Sequence, residues 1–289
     1  MAYRFIYENS SLFGTRWLLR HLKIYPNAYY SFLKNRKEAY NTRKQYIFSQ
    51  IQDIYHTHNG IDGYRNMQIY LKRQGIALST LTVHKYMNTE LGLTAIVRRK
   101  RPGYRKSKPH KVFANLIQQN FSAAKVNQKW CTDFTYLFLQ DGRKYYNCSI
   151  IDLHDRSVVA SITDKNITSD LAIRTVKKAL ENQPKLKGEL ILHSDQGSQF
   201  TSKEFIDFCT NTKITQSMSK AGYPYDNSPM ERYFNTLKNE LIYLHEYKSG
   251  NELISSIEDF AFVWYNHVRP HSFNDYKTPF EARYGIQNY

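Results

Sequence analysis

Three carboxylates stand where a predicted sheet and a predicted helix would bring acidic side chains together. Asp133 lies within a β-like run, Asp195 directly follows a second, apolar run, and Glu231 falls in the first turn of a helix predicted to begin at Pro229. In phosphodiester chemistry, two Mg²⁺ ions about 4 Å apart activate an oxygen nucleophile and stabilise the leaving oxygen, and carboxylates hold such ions. The three residues therefore predict a site for two Mg²⁺ ions, for which Mn²⁺ could substitute.

Each of these carboxylates taken singly also has an ordinary structural interpretation. Asp195 precedes Gln196-Gly197 and suits a turn, Glu231 suits the first turn of a helix, and Asp133 suits an edge strand. Three clustered carboxylates would repel one another without a metal, and at least one pKa should rise. Such a cluster would be costly as structure alone, which favours metal binding.

Four further residues could support this site. Lys238 follows Glu231 by seven positions, two helical turns along the same face, so its ammonium could reach a phosphate held by the metals. A solvated surface lysine is the alternative. His193, Ser194 and Asn227 flank the carboxylates and could order them or the attacking water. His193 suits a buried core histidine equally well.

The elements that must position these residues follow from the residue pattern. Three β-like runs joined by turns, 130–139, 144–152 and 158–163, predict an antiparallel meander. The chain then predicts, in order, helix 169–182, strand 189–193, helix 202–211, strand 214–217 and helices 229–248 and 251–266. This order is that of an α/β domain of the ribonuclease H-like class.

The region before this domain has helical periodicity. Two short helices are predicted within 15–36, and apolar residues at helical spacing continue through 47–55 and 64–71. Ser79 or Thr80 could cap a further helix, with one face expected to be formed by Leu81, His84, Met87 and Leu91. Helix, glycine-bearing turn and helix is typical of a small helix-turn-helix reader of DNA.

Positive charge is concentrated in the first third of the chain. The net charge is +16, and residues 1–110 carry 20 Lys or Arg against 5 Asp or Glu, whereas residues 111–289 carry 21 against 20. The densest stretch begins with Arg98, Arg99, Lys100 and Arg101. One-sided placement favours binding to nucleic-acid phosphates over a general role in solubility.

Composition argues against membrane and secreted proteins. No apolar run approaches the roughly 20 residues that span a bilayer, and the first residues lack the pattern of a secretion signal. The three cysteines form no CxxC pair, so neither a disulfide framework nor a cysteine-rich zinc site is expected. We expect an intracellular protein whose cysteines are reduced in the cytoplasm.

Five motifs resemble one family of bacterial enzymes. They are WCTDFTY (130–136), IIDLHDRS (150–157), HSDQGSQFTS (193–202), SMSKAGYPYDNSPMERYFNTLKNE (217–240) and WYNHVRPH (264–271). In this order they resemble transposases of insertion sequence family three, specifically the OrfB product, whose core is related to retroviral integrases. Residues 196–230, 35 in all, separate Asp195 from Glu231, which is the spacing of that family. Segments 27–33, 60–65 and 83–87 extend the resemblance upstream.

The resemblance implies metal-dependent DNA cleavage and strand transfer at insertion-sequence ends. It also implies a bacterial protein associated with the nucleoid. It implies that Asp133, Asp195 and Glu231 are the catalytic metal ligands and that Lys238 contacts the DNA end. The partners implied are double-stranded DNA, namely terminal inverted repeats and target DNA, further copies of this chain on that DNA, and an upstream OrfA-type partner or fusion. A nuclease that stops at hydrolysis and an inactive DNA-binding regulator are the alternatives.

Two residues depart from the family pattern. Arg232 stands where Ser or Ala is usual, and Gln196 stands where Arg is frequent. Neither change removes a metal ligand, so they bear on DNA-end preference. The predicted organisation is an N-terminal helical segment 1–45, a helix-turn-helix-like DNA-binding region 46–97, a basic linker 98–124, an integrase catalytic core 125–248 and a C-terminal helical extension 249–289.

Overall fold

The chain divides into two units, Met1–Ala95 and Ile96–Tyr289. The computed structural model describes residues 1–34, 36–96, 111–183 and 188–286. The predicted DNA contacts Arg98, Arg99, Lys100 and Arg101 lie outside the described residues. Within the described ranges, no helix is both long enough and apolar enough to cross a membrane.

Three short helices open the first unit. They are α1 (Ala2–Phe13), α2 (Thr15–His21) and α3 (Pro26–Leu33). Proline at the first position of α3 has its φ angle preset for a helix and needs no hydrogen-bond partner there. A small core joins the three helices through Ile6, Leu18, Leu19 and Tyr29.

The helix-turn-helix region follows as α4 (Arg36–Thr57), α5 (Tyr64–Arg73) and α6 (Thr80–His84), which continues as a π-helical turn to Glu90. Gly75 ends the second of these helices at φ 79°, a left-handed conformation that favours glycine. As predicted, Ser79 caps α6, because its Oγ accepts the Thr82 N–H at 3.1 Å.

The buried face of α6 differs from the predicted one. Leu81 and His84 are exposed, and the buried side chains are Val83, Tyr86 and Met87. The predicted face is right at Met87 and wrong at Leu81 and His84. Val83, Tyr86 and Met87 are themselves spaced by three and four residues, so helical spacing alone does not choose between the two faces, and packing against α5 decides.

A five-stranded sheet forms the centre of the second unit. Its strands are β1 (Lys129–Phe138), β2 (Lys144–Asp152), β3 (Val158–Asp164), β4 (Leu190–Ser194) and β5 (Ile214–Met218), in the order β3-β2-β1-β4-β5. The first three form the predicted antiparallel meander, and β4 and β5 run parallel to β1. This is the topology expected of the ribonuclease H-like class.

Helices cover both faces of this sheet. On one face, α7 (Ser169–Asn182) and α8 (Lys203–Asn211) pack on Trp130 and Ile150. On the other, α9 (Ser228–Glu240) and α10 (Gly250–Glu258) pack on Cys131 and Ile151. Adjacent strand residues point to opposite faces, so a sheet covered twice needs apolar residues at successive positions.

The C-terminal helices are more interrupted than predicted. The helix predicted over 229–248 is too long, because α9 ends at Glu240 and a 3₁₀ turn follows at Ile242–Leu244. The chain leaves the helix so that the ring of Tyr247 can enter the core and its carbonyl can accept the Gln140 N–H at 3.0 Å. After Glu258, α10 continues as a π-helical segment to Val268, and α11 spans Pro279–Tyr284.

Residues 111–124, the described part of the predicted linker, pack against the sheet. Ile117 is buried, the Met218 N–H donates to the Ala114 carbonyl at 3.3 Å, and the Leu116 N–H donates to Ser217 Oγ at 2.9 Å. This segment therefore extends the second unit beyond β5.

Arg283 of α11 joins the C-terminal helix to the sheet through buried charges. Its guanidinium lies 3.1 Å from Asp152 Oδ2 and 2.7 Å from Asp155 Oδ2, and it also donates to Asn127 Oδ1 at 2.9 Å. Burial raises the pKa of Asp152, with the charge of Asp155 adding to the rise and Arg283 opposing it. Asp152 and Asp155 thus have a structural partner.

We predict that Arg283→Met lowers the free energy of unfolding by about 3–5 kcal/mol, because two buried carboxylates would lose their counter-charge. Urea denaturation of the full chain measures this change. Arg143→Met is the control, since Arg143 and its partner Asp141 are both exposed and the midpoint should move far less. Equal midpoints for the two variants would contradict the prediction.

Candidate active site

Parallel pairing of β1 and β4 brings two of the predicted carboxylates together. The register pairs Cys131 with His193, so Asp133, two residues further along β1, lies level with Asp195. Asp195 directly follows the last residue of β4. Both side chains are half-buried. The two acids therefore share one end of the strand pair.

Gly197 holds the carboxylate of Asp195 in place. Its backbone N–H donates to Asp195 Oδ1 at 2.9 Å. A Cβ atom at position 197 would lie 2.9 Å from that same oxygen and 3.1 Å from Gln199 Oε1. Because real Cβ atoms do not approach so closely, any larger residue at 197 would displace the carboxylate.

Two further residues of the predicted site, Glu231 and Lys238, lie on α9. Glu231 is exposed in the first turn of this helix, and Lys238 is half-buried in its last turn. Both act electrostatically on Asp133, which also experiences the charge of Asp195. The structure thus brings three acids and one lysine to the same end of the sheet.

Burial and repulsion shift the titration of this group. Burial and then the charge of Asp195 raise the pKa of Asp133 well above its usual range, and Glu231 adds to the rise while Lys238 opposes it. Burial also raises the pKa of Asp195, against the stabilising Gly197 N–H. Burial lowers the pKa of Lys238, and Asp133 opposes that shift. The two aspartates therefore favour a proton or a cation.

Hard oxygen donors of this kind suit Mg²⁺ or Mn²⁺. Asp133 and Asp195 could each supply a carboxylate oxygen from the strand ends, and Glu231 could supply a third from α9. Among the residues that the structure describes, no three His, Cys, Asp or Glu side chains converge closely enough to hold one ion. Closure around a metal would therefore require the exposed Glu231 side chain to turn towards the aspartates.

His193 is fully buried and links β4 to the segment before α9. Its Nε2–H donates to the Asp226 carbonyl at 2.8 Å, and its Nδ1 therefore accepts from the hydroxyl of Ser217 at 2.9 Å. Burial lowers the pKa of His193, which agrees with a neutral ring. Through these bonds the ring positions the backbone between β5 and Glu231.

Asn227 and Ser194 also act on the backbone. Asn227 Nδ2 donates to the Thr132 carbonyl at 3.3 Å, next to Asp133, and this bond ties the start of α9 to β1. Its buried Oδ1 has no hydrogen-bond partner among the described residues. Ser194 Oγ donates to the Asp195 carbonyl at 2.9 Å.

Asp226 is a positioning residue that the sequence patterns do not single out. Its carboxylate accepts the Lys220 N–H at 3.0 Å, Asn115 Nδ2 at 2.9 Å and Gln119 Nε2 at 3.0 Å. The Lys220 N–H is the main reason that the pKa of Asp226 is lowered. An aspartate two residues before a helix-starting Ser-Pro pair is the available signal, but its partners Asn115 and Gln119 are over 100 residues away.

Family comparisons divide the chain as the fold does. Residues 123–224 match the Integrase core domain family, residues 212–279 match a second family of the same description, and residues 42–101 match the HTH-like domain family. The transposase for insertion sequence element IS904 of Lactococcus lactis is 31% identical over 86% of this chain and 97% of its own length. The chain belongs to the insertion-sequence transposases of the IS3 family.

Two further proteins are similar to this chain. Transposase InsF for insertion sequence IS3A of Escherichia coli is 27% identical to this transposase over 94% of each chain. Among solved structures, the HTLV-2 integrase catalytic core domain in complex with magnesium is 21% identical. That structure has a TM-score of 0.43, covering 55% of this chain and 98% of that one.

We predict that Asp133→Asn stabilises the metal-free transposase at pH 7. A carboxyl whose folded pKa exceeds its unfolded value of 3.8 destabilises the fold when it is ionised, and the cost disappears below pH 3.8, where both states are protonated. The melting temperature should therefore rise by about 2–4 °C at pH 7 for each kcal/mol relieved, and the gain should shrink on acidification. A lower melting temperature at pH 7 would show that the carboxylate is not under strain.

Proposed function

We propose that this transposase cleaves DNA at the ends of its element and joins the freed 3′ hydroxyl to target DNA. Asp133, Asp195 and Glu231 are the proposed ligands of two Mg²⁺ ions, which Mn²⁺ can replace. The observation that carries this proposal is the pairing of Asp133 with Asp195 at one strand end, with their pKa values raised. A fold gains nothing from such repulsion unless a cation binds there.

The proposed reaction proceeds in two displacements at phosphorus. Water attacks a phosphodiester at the element end, the P–O bond to the 3′ oxygen breaks, and a 3′ hydroxyl is released. That hydroxyl then attacks a phosphodiester of the target, forming one new P–O bond as another breaks. Bound Mg²⁺ would supply activation of the attacking oxygen and stabilisation of the leaving oxygen.

The protein's own part is to hold the carboxylates in place and to orient the DNA end. Gly197 fixes the carboxylate of Asp195, while Asn227 keeps the start of α9 beside β1. Lys238 is two helical turns from Glu231, and its ammonium would contact a phosphate of the DNA end. Partial burial of this lysine near Asp133 strengthens its interaction with an incoming anion.

Double-stranded DNA is the proposed partner of the first unit. The HTH-like match at 42–101 and the charge excess of residues 1–110 support this proposal. Phosphate contacts from Arg98, Arg99, Lys100 and Arg101 would add affinity for any DNA sequence. Joining two element ends to one target favours several copies of the chain on the DNA, and an OrfA-type partner or fusion is part of the same proposal.

We predict that Asp195→Asn and Glu231→Gln each lower cleavage and strand transfer about a thousandfold or more in Mg²⁺, because each removes a charge that holds a metal. Gel assays on element-end DNA measure both steps, and excess EDTA should abolish them in the wild type. Strand transfer separates a transposase from a nuclease that only hydrolyses.

Asp207→Asn is the matched control, because Asp207 is exposed on α8 and its loss should leave activity intact. Asp152 is unsuitable as a control, since it pairs with Arg283 in the core. Wild-type rates for either site variant would refute the proposed ligands, and both variants should still bind DNA.

A further prediction concerns the basic segment. Changing Arg98, Arg99, Lys100 and Arg101 together to Gln should reduce the slope of log K against log salt by about 3–4, because each phosphate contact contributes about 0.9. Fluorescence anisotropy on duplex DNA measures the slope. The control changes the three arginines to Lys, which keeps the charge and should keep the slope. An unchanged slope in the Gln variant would exclude these residues as phosphate contacts.

A further inference from the structure

One leucine of the helix-turn-helix region is unusually exposed. Leu81, the second residue of α6, is 81% exposed, whereas Val83 and Met87 of the same helical segment are fully buried. His84 and Lys85 follow at spacings of three and four residues and are also exposed. The three side chains therefore form one solvent-facing stripe along α6 and the first residue of the π-helical turn that continues it.

Positive charge borders this stripe. The ring of Tyr64 packs edge-on against His84 with 5.0 Å between ring centroids, and the Arg65 guanidinium lies 5.1 Å from the Tyr64 ring centroid. Glu90, the acidic residue of this helical segment, is paired with the half-buried Lys44 and lies 3.9 Å from the exposed ammonium of Lys85. The surface around Leu81 thus combines one apolar tip with cationic neighbours.

One exposed leucine with cationic neighbours indicates which class of partner binds this surface. A lipid surface or an apolar protein groove would require several exposed apolar residues on the stripe, and here Leu81 is followed by an imidazole and an ammonium. In the major groove of DNA, the C5 methyl of thymine is an apolar group among hydrogen-bonding edges and phosphates. A single leucine between cationic side chains matches that pattern.

We propose that Leu81 recognises a thymine of the bound DNA through the C5 methyl group, while Arg65 contacts the neighbouring phosphate backbone. This inference rests on the proposed DNA binding of the first unit and adds a specificity determinant to it. Leu81 lies near the start of the second helix of the pair, from which a helix-turn-helix reaches base edges. Under this proposal, Leu81 is exposed in the free protein because the group that covers it is on the DNA.

The test replaces single methyl groups in the DNA. A duplex is selected by the full chain from a randomised pool, and each thymine is then changed in turn to deoxyuridine, which lacks only the C5 methyl. The wild type should lose affinity about fourfold at one position, the factor expected for one buried methyl group. Leu81→Ala should bind the thymine duplex more weakly and show no further loss with deoxyuridine at that position.

Two controls make the result specific. Leu12→Ala removes another leucine, 76% exposed on α1, and should keep the full response to deoxyuridine. Arg65→Gln should weaken binding equally for both bases. Because both leucines are exposed, their replacement should leave the melting temperature unchanged, which checks that the variants are folded.

The outcomes separate this inference from the proposed chemistry. If Leu81→Ala keeps the wild-type response to deoxyuridine, or if no thymine position matters to the wild type, the inference is overturned while cleavage by the carboxylates stands. Asp195→Asn should lose cleavage and keep the thymine response. A wild-type chain that selects no duplex at all would contradict both the inference and the proposed DNA binding.

Discussion

The candidate site of the second unit depends on the repulsion between the carboxylates of Asp133 and Asp195. Parallel pairing of β1 with β4 sets the two carboxylates level, and that pairing persists because helices bury both faces of the sheet. The backbone around the pair is then fixed by uncharged contacts, through Gly197 and through the neutral ring of His193. Within the described part of the chain, Lys238 only partly offsets the charge of Asp133, which leaves negative charge for a metal in the proposed reaction.

The path from Asp133 to Glu231 shows how distant parts of the chain contribute to one site. Asp226 accepts hydrogen bonds from Asn115 and Gln119, residues that precede the first strand. The same loop receives the bond from His193 and, through Asn227, reaches β1. These bonds hold the backbone in front of Glu231, whose carboxylate is exposed. Rotation of the Glu231 side chain is therefore the main movement that remains for binding a cation.

Local pattern predicted most of the elements, because strands, turns and caps depend on near neighbours. The five strands, the Ser79 cap and the place of Asp195 after β4 all follow from such signals. Contacts between residues far apart in sequence determined the features that local pattern did not predict. The early end of α9 depends on Tyr247 meeting Gln140, and Arg283 and Gln119, which bond Asp152 and Asp226, lie more than 100 residues from them in sequence. Helical spacing fitted two faces of α6, and packing against α5 buried Val83 rather than Leu81.

The buried ion pairs of Arg283 with Asp152 and Asp155 also have a consequence for synthesis of the protein. The ribosome makes β2 long before α11, so Asp152 and Asp155 must wait through more than 120 residues of translation for their counter-charge. Until then, burying both carboxylates in the nascent sheet is unfavourable. The order of translation therefore delays the final closure of this core until α11 has been made and can dock.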